Sequence, residues 1–392
     1  MLQARVRRNY ARIQAAAVEV ASDRGWSGMT LAGVGRAAGL TIRPVRDRYP
    51  TRALLGAATW TEVAGPAMQS ALTDALTSGG LLDQPANEDS FSDAMDAFAR
   101  PDGNLRAAAE LAVVSCFEPE LADAVTDSLG HSVRIWLDPA KAGSPVLAAK
   151  RGYLVALALG LIAMAHRPGL TDLDLAPQWR HLLTALAAKV AAVPLPDEPR
   201  PPHLARIPFD TGDATTDDLL RAAIDRLGRH GYEGTLLTSV AADAGVSEAS
   251  VFVRYPSKEA FIMDAIDRQQ DIALPSHREH LARLEAAHGT GIAEAIAIRG
   301  TMHPSERLQN VIEMERARLT WHRPELAAAD EARLQQVIHG ILAKDPAHPD
   351  YSDPAGVHLA RSLGLGISFL PLIDDEAWDL PYDVITTTLA LT

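Results

Sequence analysis

Arg43 and Arg46 stand three residues apart in the stretch TIRPVRDRY, residues 41–49. On a helix that spacing puts both guanidinium groups on one face. A guanidinium fork can bridge O6 and N7 of guanine, or it can hold a phosphate, so this face has the chemistry to meet a nucleic acid. Ile42 and Pro44 share the segment, and Pro44 falls in the first helical turn, where a backbone N–H has no intrahelical partner to lose. The surroundings are basic. Residues 1–52 hold ten arginines against Glu19, Asp23 and Asp47, a net charge of +7, whereas the whole chain carries −13. Positive potential is therefore confined to one end, and the acidic remainder helps orient an encounter.

The element that positions these arginines occurs twice. Residues 25–52 (GWSGMTLAGVGRAAGLTIRPVRDRYPTR) align without a gap on residues 231–258 (GYEGTLLTSVAADAGVSEASVFVRYPSK) at an offset of 206. In each copy an apolar face recurs at three- and four-residue spacing, Leu31, Val34 and Ala38 in the first and Leu237, Val240 and Ala244 in the second. That periodicity predicts a helix. Gly39 and Gly245 end it with a left-handed cap. Thr41 and Ser247 are placed to N-cap a second short helix through their hydroxyls, and Thr30 to cap the first. Two helices joined by a very short turn are a helix-turn-helix.

Read with the upstream segments RIQAAAVEVASDRGW and DLLRAAIDRLGRHGY, both copies resemble the DNA-binding segment of the tetracycline-repressor (TetR) family of bacterial regulators. The resemblance implies contacts to operator DNA from Thr30, Thr41, Ile42, Arg43, Pro44, Arg46, Arg48, Tyr49 and Arg52. The matching side chains of the second copy are Ser247, Ser250, Arg254, Tyr255 and Lys258. It also implies that a ligand-responsive, dimer-forming helical core follows each head. The second copy departs from the first: Leu236 replaces Thr30, Glu248 and Ala249 replace Ile42 and Arg43, and Phe252 replaces Arg46. Residues 207–258 carry a net −3. Phosphate contacts supply most sequence-independent affinity, so the first head reads as competent and the second as doubtful.

The repeat continues into the cores, where EPEL at 118–121 echoes RPEL at 323–326. The organisation expected is a helix-turn-helix domain at 1–52, a helical core at 53–193, a proline-rich linker at 194–214, a second helix-turn-helix at 215–258 and a second core at 259–392. The fold class is all-α, two TetR-like units in tandem. Helices are predicted over 51–78, 89–99, 103–117, 119–137, 145–166 and 176–192. In the second half they are predicted over 257–272, 276–287, 291–298, 304–321, 325–343, 353–370 and 376–391. Prolines 194, 196, 199, 201, 202 and 208 favour an extended linker able to span on the order of 60 Å. Small residues in the late helices (Ala156, Ala158, Gly160; Gly364, Gly366, Ser368) would let the halves approach closely. A short tether favours pairing within the chain over pairing between chains. The expectation is a monomeric pseudo-dimer, with higher assembly as the competing arrangement.

Other chemistries find little support. The chain has no GxSxG, HExxH, P-loop or glycine-rich dinucleotide motif, so no enzyme, cofactor or metal site is expected. His277 and His280 lie three apart, but histidines on a polar helix are more often solvated. Cys116 is the one cysteine. It excludes an intrachain disulfide and lies in an apolar stretch that would raise its pKa. No apolar run reaches about 18 residues, and the N-terminus lacks a secretory pattern, so the expected location is cytoplasmic with no membrane partner. Trp60, Met68, Met95, Trp136, Met164 and His166 could line a cavity for an apolar small-molecule effector, although such residues at helical spacing are more often core. The function expected is a ligand-responsive transcriptional repressor. The alternative is a ligand-sensing or protein-interaction module that has lost sequence-specific DNA binding.

Overall fold

The structure is a computed structural model, and it describes residues 2–83, 85–166, 173–189, 191–196, 208–342 and 353–390. Among these residues every regular element is helical. The first head comprises α1 (Leu2–Gly28), α2 (Leu31–Ala37) and α3 (Ile42–Arg48). Its core follows as α4 (Arg52–Thr59), α5 (Gly65–Ser78), α6 (Glu88–Ala99), α7 (Gly103–Val114), α8 (Pro119–Val125), α9 (His131–Leu137), α10 (Pro139–Ala142), α11 (Pro145–Met164) and α12 (Ala176–Ala187). The second head is α13 (Ala214–Gly234), α14 (Leu237–Asp243) and α15 (Glu248–Arg254). Its core is α16 (Lys258–His288), α17 (Thr290–Met302), α18 (Arg307–Trp321), α19 (Pro324–Leu342), α20 (Pro354–Ile373) and α21 (Asp383–Leu389).

Local chemistry sets these boundaries. The side chains of Asn87, Asp102, Ser144, Ser257 and Asp353 each accept a backbone N–H in the first turn of the helix they precede. Such a cap contributes about 1 kcal/mol. Gly25 and Gly231 kink α1 and α13 at φ +64° and +65°, a conformation that a side chain would strain.

Six expectations need correction. α16 is continuous through Pro275, where two helices were predicted. A proline removes one N–H and costs about 3 kcal/mol, which burial of Phe261, Ile262, Ile266 and Ala273 on the same helix offsets. The segment 119–137 contains a π turn at Thr126–Gly130, and 60–64 forms another within the predicted helix 51–78. α12 stops at Ala187, and the last predicted helix divides into a 3₁₀ turn, Ala377–Asp379, and α21. Finally, α11 and α20 are each long and apolar enough to cross a membrane by length and composition. They pack on each other, and 83% of the apolar window of α11 is buried inside the protein.

The α11–α20 contact is the most extensive between any two helices among the described residues. A Cβ on Gly160 would lie 1.7 Å from the carbonyl oxygen of Ser362, and a Cβ on Gly366 would lie 1.7 Å from that of Ala156. Both glycines are therefore required by the backbone-to-backbone crossing. The two contacts exchange under the same 206-residue offset that relates the heads. A hydrophobic core runs through this crossing, from Trp26 and Trp60 in the first half to Phe369 and Tyr382 in the second. The second head has its own cluster around Leu219, Leu227, Val240 and Phe261. At the start of the linker the backbone N–H of Val193 donates to Asp383 at 2.7 Å. Prolines 199, 201 and 202 lie outside the described residues.

Candidate nucleic-acid interface

α2 and α3 hold the geometry of a helix-turn-helix. Thr30 accepts the Gly33 N–H at 2.9 Å, Gly39 turns the chain at φ +62°, and Val34 and Val45 are fully buried between the helices. Thr41 makes no side-chain cap bond, nor does Ser247, whose hydroxyl instead lies 3.0 Å from that of Ser250. Both residues are exposed, so they are corrected from caps to surface groups.

On α3 the side chains of Ile42, Arg43 and Arg46 are exposed, with Pro44 half-buried behind them. Arg43 is 87% exposed and 3.8 Å from Asp47, an ion pair too solvated to hold it. Arg48 is exposed and lies over the Tyr10 ring at 4.7 Å. Tyr49 is buried and accepts a hydrogen bond from Gln14 at 2.7 Å, so it shapes the head from inside. Arg52 stacks on Trp26 at 4.3 Å and donates to Glu118 at 3.3 Å, which ties head to core. Lys258 repeats that tie against Tyr232, ring and carbonyl.

The second head has the same backbone and an opposite surface. Arg226 pairs bidentately with Asp243 at 2.5 and 2.9 Å, Arg254 with Asp213 at 3.0 Å, Arg221 with Asp218 at 2.6 Å and Arg229 with Asp225 at 2.8 Å. Arg226 and Arg254, 25% and 30% exposed, are thus held by their aspartates, while Arg221 and Arg229 remain more than half exposed. Tyr255 donates to Asp264 at 2.8 Å, and burial together with that carboxylate pushes its pKa up. Exposed on α15 are Phe252 at 54% and Val253 at 82%.

The proposed effector residues of the first core are mostly packing groups. Trp60 and Met68 are fully buried packing groups, and the Trp60 indole donates to Ser128 at 2.8 Å. Met95 and Trp136 pack on the same core. His166 stacks on Trp321 at 4.4 Å, and burial there pushes its pKa down to about 4. Only Met164 of the six lines a cavity of about 420 Å³, and that cavity belongs mainly to the second core. Its polar lining includes Gln270, His277, Glu313, Arg316, Arg333 and Arg361 over an apolar floor of Ala273, Ala317 and Leu365. Arg316 pairs with Asp330 at 2.7 Å, while Glu313 accepts only amide donors in the described contacts, from Gln270 and Gln309 at 2.9 Å. His277, anticipated as solvated, is exposed at the rim of this cavity, where partial desolvation, with His280 nearby, lowers its pKa. Burial also pushes the Cys116 thiol up to about 11, against reactivity.

Sequence reasoning missed a buried ionic junction between heads and cores. The side chains of Glu110 and Glu315 are fully buried and that of Arg318 is 3% exposed. Arg318 donates to Glu315 at 2.6 Å, to Glu110 at 2.8 Å and to Glu233 at 2.6 Å. Glu110 also accepts the Trp26 N–H at 2.5 Å, and Glu315 the Tyr232 N–H at 2.6 Å. Burial opposes ionisation of Glu110, but Arg318, His322 and the Trp26 N–H outweigh it and hold its pKa down at about 2. The available signal was a glutamate inside an apolar run, AAAELAVV, with a counterpart 205 residues on in IEMERARL.

Comparison with known families places residues 219–264 in a match to "Bacterial regulatory proteins, tetR family". The matched span runs from α13 through α15 into α16, so it covers the second head. It supports the TetR family for this head and a role in DNA-binding transcriptional regulation. No curated protein matches the chain.

Proposed function

We propose that the chain is a ligand-responsive transcriptional regulator of the cytoplasm in which two TetR-like units, joined in tandem, pair with each other and present two unequal heads to operator DNA. The observation that carries this reading is the repetition of one geometry at a constant offset. Kink, turn glycine and both short helices recur 206 residues apart, and Gly160 and Gly366 exchange contacts under the same offset. The family match covers the second head, residues 219–264; the tandem reading rests on these equivalences. The first head supplies exposed arginines for phosphates and base edges, and the second supplies a matched frame with few available cations.

The second-core cavity is the effector site in this reading. Its charged lining selects a polar ligand with an apolar body, in place of the purely apolar effector suggested by the first-core residues. Occupancy would favour a core arrangement whose heads no longer fit the DNA, a population shift. The exposed Phe252 and Val253 favour a second reading for the second head alone, that it meets a protein surface.

Selection of bound fragments from genomic DNA, followed by salt titration of the best fragment, tests the proposal. Binding should weaken steeply with salt, and the selected site should be asymmetric, since identical paired heads would read a palindrome. Light scattering should return one chain, 42.0 kDa. A mass near twice that, or a perfect palindrome, would overturn the unequal pseudo-dimer.

A further inference from the structure

The two heads meet the cores through reciprocal contacts. A Cβ on Gly25 would come within 2.7 Å of His322, a residue of the second half, and a Cβ on Gly231 within 2.7 Å of Phe117, a residue of the first. His322 and Phe117 are themselves 205 residues apart, so each head leans on the other half's core. Between the two contacts lies the guanidinium of Arg318. It reaches Glu110, which holds the Trp26 N–H of the first head, and Glu315, which holds the Tyr232 N–H of the second. It also reaches Glu233, whose other oxygen accepts from Ser27 of the first head at 3.0 Å.

The two glutamates are equivalent under the repeat, but the arginine is not. The position 205 residues before Arg318 is Val113, fully packed in the first core. One side chain therefore serves both heads from one side of the pseudo-symmetric junction. Stability does not explain it, because a buried ion cluster is often no better than apolar residues of the same volume. What a planar, five-donor group adds is direction, since it fixes three carboxylates at once. We infer that Arg318 is the positioning residue that sets the separation and angle of the two heads, and thereby the half-site spacing the protein accepts. The link to spacing rests on the regulator reading above; the link to head geometry does not.

Spin labels on full-length protein test the geometry directly. In a Cys116→Ser background, Arg36→Cys and Ala242→Cys place labels on exposed, equivalent sites of α2 and α14. The head-to-head distance distribution should be narrow with Arg318 present, broad in Arg318→Met and intermediate in Arg318→Lys. An unchanged distribution in folded Arg318→Met would overturn the inference. If that variant does not fold, Glu110→Gln, which keeps an acceptor for Trp26 but loses the charge, is read in the same way. It should broaden the distribution, and an unchanged one overturns the inference equally. In parallel, operators with spacers altered by two base pairs rotate one half-site by about 70°. Preference among them should fall from about tenfold or more to less than about threefold in Arg318→Met, with unaltered preference counting against the role. Failure of the unaltered chain to bind any DNA would sink the regulator reading, while the distance measurement would still decide the role of Arg318.

Discussion

The two heads share a backbone and differ in almost everything that faces solvent. α2 and α14 span seven residues each, α3 and α15 likewise, and the glycines between them turn at φ +62° and +69°. Yet Arg43 stands 87% exposed on α3, where α15 has Ala249, and two of the second head's arginines, Arg226 and Arg254, are folded onto its own aspartates. The family match falls on this second head. Buried positions and turns define the family pattern, and surface cations define affinity for DNA, so a head can keep the first while losing the second.

The strongest test of the equivalence behind that comparison is at the helix crossing. Gly160→Ala and Gly366→Ala each push a methyl onto a backbone oxygen 1.7 Å away, so each should destabilise by about 3 kcal/mol or more in urea denaturation. Equal losses support two equivalent halves, and a large inequality breaks the equivalence. Next in size is the contrast between heads. Arg43→Ala with Arg46→Ala should weaken operator binding by about 2–6 kcal/mol if both read bases, whereas Glu248→Ala should change it little. Fluorescence anisotropy on one selected operator compares them, and a comparable loss in both would reverse the ranking of the heads.

Acid tests the junction beneath the heads. Glu110 has a folded pKa of about 2, below the ordinary glutamate value, so its contribution is present above about pH 4.3 and is lost as pH falls toward 2. His166, held near 4, favours the neutral ring, and its contribution is lost as pH falls from about 6.5 toward 4. Each is worth on the order of 2–3 kcal/mol. Stability should therefore decline in two stages below neutrality. His166→Phe should remove the upper stage and leave the lower, as followed by thermal melting across pH.

The heads were legible because their signals are local: a glycine at a positive-φ turn, an apolar face at helical spacing and a hydroxyl at Thr30 that does cap its helix. The core helices were legible to within a few residues for the same reason. Pro275 misled because the cost of a proline is local, while the burial that offsets it comes from partners far away in sequence. The effector residues were less legible for a related reason. Trp60 and Met68 have the composition of a pocket lining, but only packing decides whether space remains beside such residues, and here both are fully buried. The Glu110–Arg318–Glu315 junction joins groups 208 residues apart, and periodicity carries no record of such a pair.

The smallest predicted effect separates two arginines that looked alike in sequence. Arg48 is exposed on the head, with its guanidinium 4.7 Å above Tyr10, where it can swing to a phosphate. Arg52 is 31% exposed, stacked on Trp26 and 3.3 Å from Glu118, so moving to DNA would break both contacts. Arg48→Ala should reduce the slope of log affinity against log salt by about one. Arg52→Ala should leave that slope nearly unchanged and lower thermal stability by about 1 kcal/mol, the loss of a partly shielded cation–π contact and ion pair. Lys258→Ala, at the equivalent position beside Tyr232, should show the same pattern as Arg52→Ala. If Arg52→Ala instead flattens the salt dependence as Arg48→Ala does, the residue leaves its core partners on binding, and the tie between head and core is made only in the free protein.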